Sequence, residues 1–316
     1  MLFDVRKLNI IISSSHKNWV LGHLAFQIKS NIREFEIKIV EFPFRKKDIR
    51  SLNGAIYLSK TDINFFIHQD LALKAFNNGW LKNAKFNIVN FTHNNKEIYK
   101  YKQLFSQIDH VIVQNSHSIK ELTRINFPTT NIHVLPNPIE GFRFQSSPDR
   151  IPTRDIIFVS HFYERKRPQL ILDTIQKNQD LTFTLYGKHW TNWNEFESLV
   201  PLPNFDYKEF NYAQYPKVLA QHKVFCSLSA IEGGPVPLIE SLASGLIPVV
   251  TDTGTARDII PSHLHNLILP IDVSIEQVSL ALREGLNVKE NKFTLMNHLT
   301  YEGFTKQVSD IIRKHL

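Results

Sequence analysis

Two carboxylates frame a bare stretch of backbone in the run Ser229-Ala-Ile-Glu232-Gly-Gly-Pro-Val-Pro-Leu-Ile-Glu240, with seven residues between Glu232 and Glu240. An ionised carboxylate accepts hydrogen bonds and can take both hydroxyls of a vicinal diol. One acid on a sugar and the other on a ribose would therefore orient a nucleotide sugar across the turn. Gly233 and Gly234 lie between an apolar run at 224–228 and a helical pattern near 237–244. Free N–H groups and the partial positive charge of a helix N-terminus suit that place to a diphosphate or to sugar hydroxyls. Pro237 fits the first helical turn, Gly245 a left-handed stop, and Pro248 bars continuation.

A second chemistry-bearing stretch reads Phe158-Val-Ser160-His161-Phe-Tyr-Glu-Arg165-Lys166-Arg167-Pro168. Three consecutive cations just beyond a strand are suited to an anion, and Arg offers a forked contact where Lys offers a point charge. In the first half, Phe91-Thr92-His93 ends a buried strand pattern and aims His93 at the carboxyl edge of its sheet. His68, ending the preceding run, is its rival. Ser13-Ser-Ser-His16-Lys-Asn-Trp19-Val-Leu-Gly22 reads as the entry to a first helix, with Ser and Asn available as caps.

The elements that must position these residues follow from hydrophobic rhythm. Short β-branched runs at 8–12, 36–42, 63–67, 86–91, 111–113 and 132–135 alternate with helix-length segments. After a polar stretch at 145–153 the rhythm restarts, with strands at 155–160, 181–186, 224–228 and 247–251 and helices at 168–178, 212–222 and 237–244. The pattern predicts an α/β protein of two doubly wound, Rossmann-like domains facing a cleft, since ligands of such folds sit at the carboxyl ends of the strands. The expected division is 1–148, 149–300 and a terminal helix at 301–316 packing back on the first domain.

These motifs together resemble the GT-B glycosyltransferases, and within them the retaining enzymes of glycosyltransferase family 4, whose signature is Glu-x7-Glu. Asp252-Thr-Gly254-Thr-Ala-Arg-Asp258-Ile-Ile260 is similar to the family's Gly-Gly-x-x-Glu segment, with Thr255 for the second Gly and Asp258 for Glu. The resemblance implies that Glu232 contacts hydroxyls of the transferred sugar, Glu240 the ribose, and the backbone at Gly233 and Gly234 the sugar and phosphates. Lys166 falls on the family lysine that neutralises the diphosphate. His161 stands where the family has Arg, so either His161 is held protonated by the donor or Arg165 or Arg167 supplies the second charge. His93 matches a family histidine that approaches the donor sugar, and Pro136-Asn137-Pro138 matches a hinge-proximal segment. The likeness is strongest over 155–260.

Composition narrows the function further. The 316 residues are 42% hydrophobic and 21% charged, the balance of an ordinary folded enzyme. Residues 1–150 hold 21 Lys and Arg against 12 Asp and Glu, a net of +9, and residues 151–316 hold 16 against 18, a net of −2. A basic first half suits an anionic surface or an acidic glycan, whereas the charge is too diffuse for nucleic acid. One cysteine, Cys226, calls for no oxidising compartment, and the absence of a leader-like or spanning segment predicts a cytoplasmic protein, peripheral on the inner face of a membrane. With no Asp-x-Asp, no phosphate-loop motif and no metal-spaced His or Cys, the sequence predicts no cofactor and no metal beyond the nucleotide-sugar substrate. The reading is a retaining, metal-independent hexosyltransferase. It acts on a glycan or lipid-linked acceptor in cell-surface polysaccharide or glycolipid synthesis. A non-catalytic GT-B partner subunit and a GT-B phosphorylase or epimerase are the alternatives.

Overall fold

The computed structural model describes residues 6–14, 17, 20–42, 60–92, 98–145 and 150–314. Contacts divide the chain into two units, residues 1–138 with 297–316, and residues 139–296.

In the first unit, β1 (Lys7–Ser13), β2 (Glu36–Phe42), β3 (Thr61–Phe66), β4 (Ala84–Phe91), β5 (His110–Val113) and β6 (Ile132–Val134) form one parallel sheet. Its order is β2-β1-β3-β4-β5-β6. Ile10, Ile11 and Ile12 are successive yet all buried, as strands covered on both faces require. Helices α1 (Val20–Asn31), α2 (Gln69–Asn77) and α3 (His117–Arg124) belong to the same unit. A row of buried amides crosses the sheet, Asn9 donating to Asn64 at 3.5 Å and Asn64 to Asn87 at 3.2 Å. The residues pair directly in the strand register, so each amide satisfies its neighbour.

The second unit contains β7 (Arg154–Val159), α4 (Pro168–Lys177), β8 (Phe183–Gly187), β9 (Phe205–Glu209), α5 (Tyr215–Ala220), β10 (His222–Ser227), α6 (Val236–Ala243), β11 (Ile247–Thr251), β12 (Ile268–Leu269) and α7 (Ile275–Asn287). Its parallel sheet runs β12-β11-β10-β7-β8-β9. The chain leaves β7 toward β8 and β9, then returns to β10 on the other side of β7. The carboxyl ends of β7 and β10 therefore flank the topological switch point of this sheet.

The second sheet has two strands that the hydrophobic rhythm misses. β9 is a half-exposed edge strand rich in charge, and β12 is only two residues long. The domain boundary expected at 148 falls ten residues earlier, between Pro138 and Ile139. Ile139 and Phe144 are buried, the Phe144 ring packs edge-on against Tyr215 at 5.7 Å, and Arg143 donates to the Tyr212 carbonyl at 2.8 Å. Those contacts fasten 139–144 to the second unit. Arg150 continues the attachment, its guanidinium donating to the carbonyls of Ala220, His222 and Gly245 where two helices have ended.

The last helix, α8 (Tyr301–Arg313), packs on α1 and sends Phe304, Val308, Ile311 and Ile312 into the core of the first unit. Arg313 pairs with Glu34 at 2.8 Å. Among the described residues, no helix is long and apolar enough to cross a membrane. The turn into α8 depends on Gly303, whose N–H is accepted by Thr300 Oγ1 at 3.1 Å and where a Cβ would overlap the Asn297 carbonyl. Gly303→Ala is expected to lower the thermal unfolding midpoint by several degrees. The exposed substitution Lys306→Ala should leave it within about 1–2 °C.

Candidate functional site

Both loops at the switch point are shaped by residues outside the charged cluster. At the end of β7 the Ser160 carbonyl accepts the Trp190 indole N–H at 2.8 Å, and a Cβ at Gly187 would occupy the same carbonyl's space. Phe162 N–H donates to the Lys188 carbonyl at 2.9 Å, so the first residues of the 160–167 loop are held against the end of β8. A single 3₁₀ turn over Glu164–Lys166 follows, and Arg167 takes left-handed backbone with φ 56° before Pro168 opens α4. That turn presents Arg165 and Lys166 to the loop after β10.

The two loops are joined by backbone and by charge. Ala230 N–H donates to the Arg165 carbonyl at 2.8 Å, and Arg165 Nη1 donates to the Ile231 carbonyl at 2.9 Å. The Lys166 ammonium and the Arg165 guanidinium both meet Glu232 Oε1, Arg165 at 2.9 Å. The Glu232 side chain is 8% exposed and that of Lys166 14%, whereas Arg165 is 42% exposed. A third loop closes on this turn. Gly254 has φ 57°, and a Cβ there would lie 2.5 Å from the Gly233 carbonyl and 3.1 Å from Glu232 Cβ. Thr251 Oγ1 ties the same loop to the Ser229 carbonyl at 2.6 Å.

Protonation states follow from these surroundings. Burial by itself would raise the Glu232 carboxyl, but the charges of Lys166 and Arg165, with hydrogen bonds from Lys166 and Ser229, outweigh it and hold it below the usual carboxylate range. Burial lowers the Lys166 ammonium, partly offset by Glu232. His161 packs edge-on against His189 at 5.8 Å and against Phe210 at 6.4 Å. Burial and the neighbouring His189, Lys188 and Lys166 lower it, which favours the neutral ring.

Glu240 lies in different company. It is 4% exposed on α6, beside the Tyr215 hydroxyl, which makes no well-formed hydrogen bond to it. Tyr215 is clamped by rings of Tyr186, Phe144 and Phe210 at 5.7, 5.7 and 5.1 Å. Burial pushes the Glu240 carboxyl up to about 8; the Tyr215 hydroxyl and Arg143 pull against this and Glu140 adds to it. The two acids of the motif thus hold opposite states at neutral pH, Glu232 ionised and Glu240 largely protonated.

The structure brings Arg165, Lys166, Glu232 and Gly233 into one cluster, with Gly234 next in the same turn and Arg167 ending the opposing one. The Nη1 of Arg167 is buried and has no hydrogen-bond partner. His93 lies outside the described residues, as do His16 and Trp19. His68 caps α2, its Nδ1 accepting from Asp70 N–H at 3.1 Å, which gives it a structural task. Residue types gave no warning of Tyr212 and Tyr215, whose rings pack in the aromatic cluster near Glu240. Left-handed Gly254 was visible in the sequence only through its place in a motif.

The fold and this site define a class. Two parallel six-stranded α/β units are also the build of solved GT-B glycosyltransferases. The lipopolysaccharide outer core galactosyltransferase WaaB aligns with TM-score 0.71 and 15% identity over 98% of this chain and 100% of its own. HepE from Anabaena, solved in complex with UDP-glucose, aligns with TM-score 0.69 and 11% identity over 98% of both chains. TarM from S. aureus aligns with TM-score 0.60 and 18% identity over 84% of this chain and 55% of its own. A search of curated protein sequences finds no match. The family model of glycosyl transferases group 1 matches residues 143–299, nearly the whole second unit. The chain has the GT-B fold, and its second unit matches the glycosyl transferases group 1 model.

The Glu240 environment makes a pH prediction. The unfolded carboxyl titrates near 4.5 and the folded one near 8, so between these values the unfolded state releases a proton that the native state keeps. Native stability should therefore fall as pH rises from about 4.5 to about 8, by at most about 1.4 kcal/mol per pH unit from this group. Glu240→Gln should remove that slope, matching the wild type at pH 4.5 and exceeding its unfolding midpoint at pH 8. Parallel stability curves for the two proteins across this range would contradict the assignment.

Proposed function

We propose that this protein is a retaining glycosyltransferase, a hexosyltransferase that works without a metal ion. It moves a sugar from a nucleotide diphosphate donor to a hydroxyl of a glycan or lipid-linked acceptor in cell-surface polysaccharide or glycolipid synthesis. The observation that carries the reading is the Lys166–Glu232 contact at the switch point of a glycosyl transferases group 1 domain. HepE, crystallised with UDP-glucose, and TarM, crystallised with UDP and a GlcNAc-glycerol, share the fold and support a nucleotide-sugar donor and a hydroxyl acceptor.

In this reading the donor diphosphate meets Lys166, Arg167 and the amides of Gly233 and Gly234, and the sugar hydroxyls meet Glu232. As the bond from the anomeric carbon to the phosphate oxygen breaks, negative charge grows on the leaving diphosphate. Preorganised cations and N–H groups stabilise it there with no reorganisation cost at the moment of reaction. The acceptor oxygen bonds to the anomeric carbon on the face the phosphate leaves, and its proton passes to a phosphate oxygen. Glu232 is ionised and buried, so it orients the sugar by accepting hydrogen bonds. Glu240 serves the ribose. The neutral His161 is a weak phosphate partner, and in this reading Arg167 supplies the second donor-side charge.

Assay of the purified chain against a panel of nucleotide sugars, with the anomeric configuration of the product read by NMR, tests the reaction. Retained configuration is expected, with Lys166→Ala and Glu232→Gln each lowering kcat/KM by about 100-fold or more. An inverted product, or variants as active as the wild type, would contradict it. The basic first half is assigned to an anionic membrane surface on which the acceptor is presented. Binding to vesicles containing phosphatidylglycerol should exceed binding to neutral vesicles at 50 mM salt and weaken at 500 mM. Equal partitioning onto both would remove the membrane from the account.

A further inference from the structure

Arg165 is one of three adjacent cations, but its geometry separates it from the other two. Its backbone carbonyl accepts the Ala230 N–H at 2.8 Å. Its Nη1 donates to the Ile231 carbonyl at 2.9 Å and lies 2.9 Å from Glu232 Oε1 as an ion pair, so one nitrogen meets a main-chain and a side-chain group of the same turn. Its guanidinium carbon sits 5.4 Å from the centre of the Tyr163 ring, which braces the planar group from its own loop. These contacts direct Arg165 at residues 230–232. Lys166 shares the same carboxylate oxygen, but among the described residues its ammonium donates to no main-chain carbonyl.

We propose that Arg165 is a positioning residue: it clamps the 230–232 turn and fixes the Glu232 carboxylate for the transferred sugar, and it is not a ligand of the donor diphosphate. The inference rests on the reading of Glu232 given above. A free glutamate turns about three side-chain bonds, and a misplacement of about 1 Å at a reacting centre can cost about 100-fold in rate. Holding Oε1 with two cations removes that freedom and leaves the other carboxylate oxygen to accept from a hydroxyl. The planar guanidinium, braced by the Tyr163 ring, holds that nitrogen at the turn, which an ammonium on a flexible stem does not reproduce. The charged groups that face Glu232 are Lys166 and Arg165 from the loop after β7. From the third loop, the Gly254 backbone packs against it, while Arg257 of that loop is paired with Asp252 at 2.7 Å.

A sugar-selective binding comparison separates the roles. Calorimetry would measure the affinity of wild type, Arg165→Gln, Arg165→Lys and Glu232→Gln for UDP-glucose and for UDP, with GDP-mannose and GDP in parallel. The expected result is that Arg165→Gln loses about 10-fold in nucleotide-sugar affinity while the matching diphosphate changes by less than about 2-fold. The acid limb of nucleotide-sugar binding should also move to higher pH, because Glu232 has lost one of two cations. Arg165→Lys, which keeps the charge, should restore the limb but recover only part of the affinity. Equal losses for sugar-bearing and sugar-free ligands in Arg165→Gln would overturn the proposal. So would an unmoved acid limb. If Glu232→Gln itself shows no sugar-selective loss, the reading of Glu232 fails and this inference with it. A sugar-selective loss in Glu232→Gln with equal losses in Arg165→Gln defeats the positioning role alone.

Discussion

The candidate site of the second unit turns on a buried ion pair between Lys166 and Glu232, which joins the loops after β7 and β10. Taking two charges out of water costs several kcal/mol per ion, and their attraction offsets this only when geometry and hydrogen bonding are good. A pair of this kind is a poor choice for stability and a good one for placing charge. Its surroundings supply the geometry. The 160–167 loop is held by Gly187, Trp190 and the left-handed Arg167, and the 228–235 loop is held by Arg165 from one side and Gly254 from the other. When an anion arrives at Lys166, the ammonium already sits in a low-dielectric setting where its interaction with phosphate is stronger than in water.

The two acids of the Glu-x7-Glu motif show how environment divides one residue type into two roles. Glu232 has two cations on one oxygen and stays ionised. Glu240, eight positions later, is packed against the Tyr215 hydroxyl on a helix face and keeps its proton to about pH 8. A protonated carboxyl can donate as well as accept, so the two residues present different hydrogen-bonding faces to any ligand that spans them. The burial of His161 beside His189 and Lys188 favours its neutral form. The positive charge of the site therefore rests on the 3₁₀ turn and the residue that follows it.

Much of this was written locally in the sequence. The inner strands of the first sheet are short apolar runs, as buried parallel strands read, and the edge strand β2 alternates charged and apolar residues. The Gly233 turn and the start of α6 are also local, set by Gly and Pro. What stayed hidden depends on residues distant in the chain. The cage around Glu240 comes from α5 and from the segment at 139–144, whose attachment to the second unit a turn-rich sequence does not reveal. The clamp of Arg165 on Ile231 spans 66 positions and involves a carbonyl, which no residue type encodes. β9 is a polar edge strand and β12 two residues long, so neither gives a period to read. His93 was legible as a strand-end histidine, and it lies outside the described residues.

The most direct measurement is a crystal structure of the chain with an intact nucleotide diphosphate sugar. The account predicts the diphosphate within hydrogen-bond distance of the Lys166 ammonium and the Gly233 and Gly234 amides, with a sugar hydroxyl on the Glu232 carboxylate. A donor bound elsewhere, with the Lys166–Glu232 pair untouched, would contradict it.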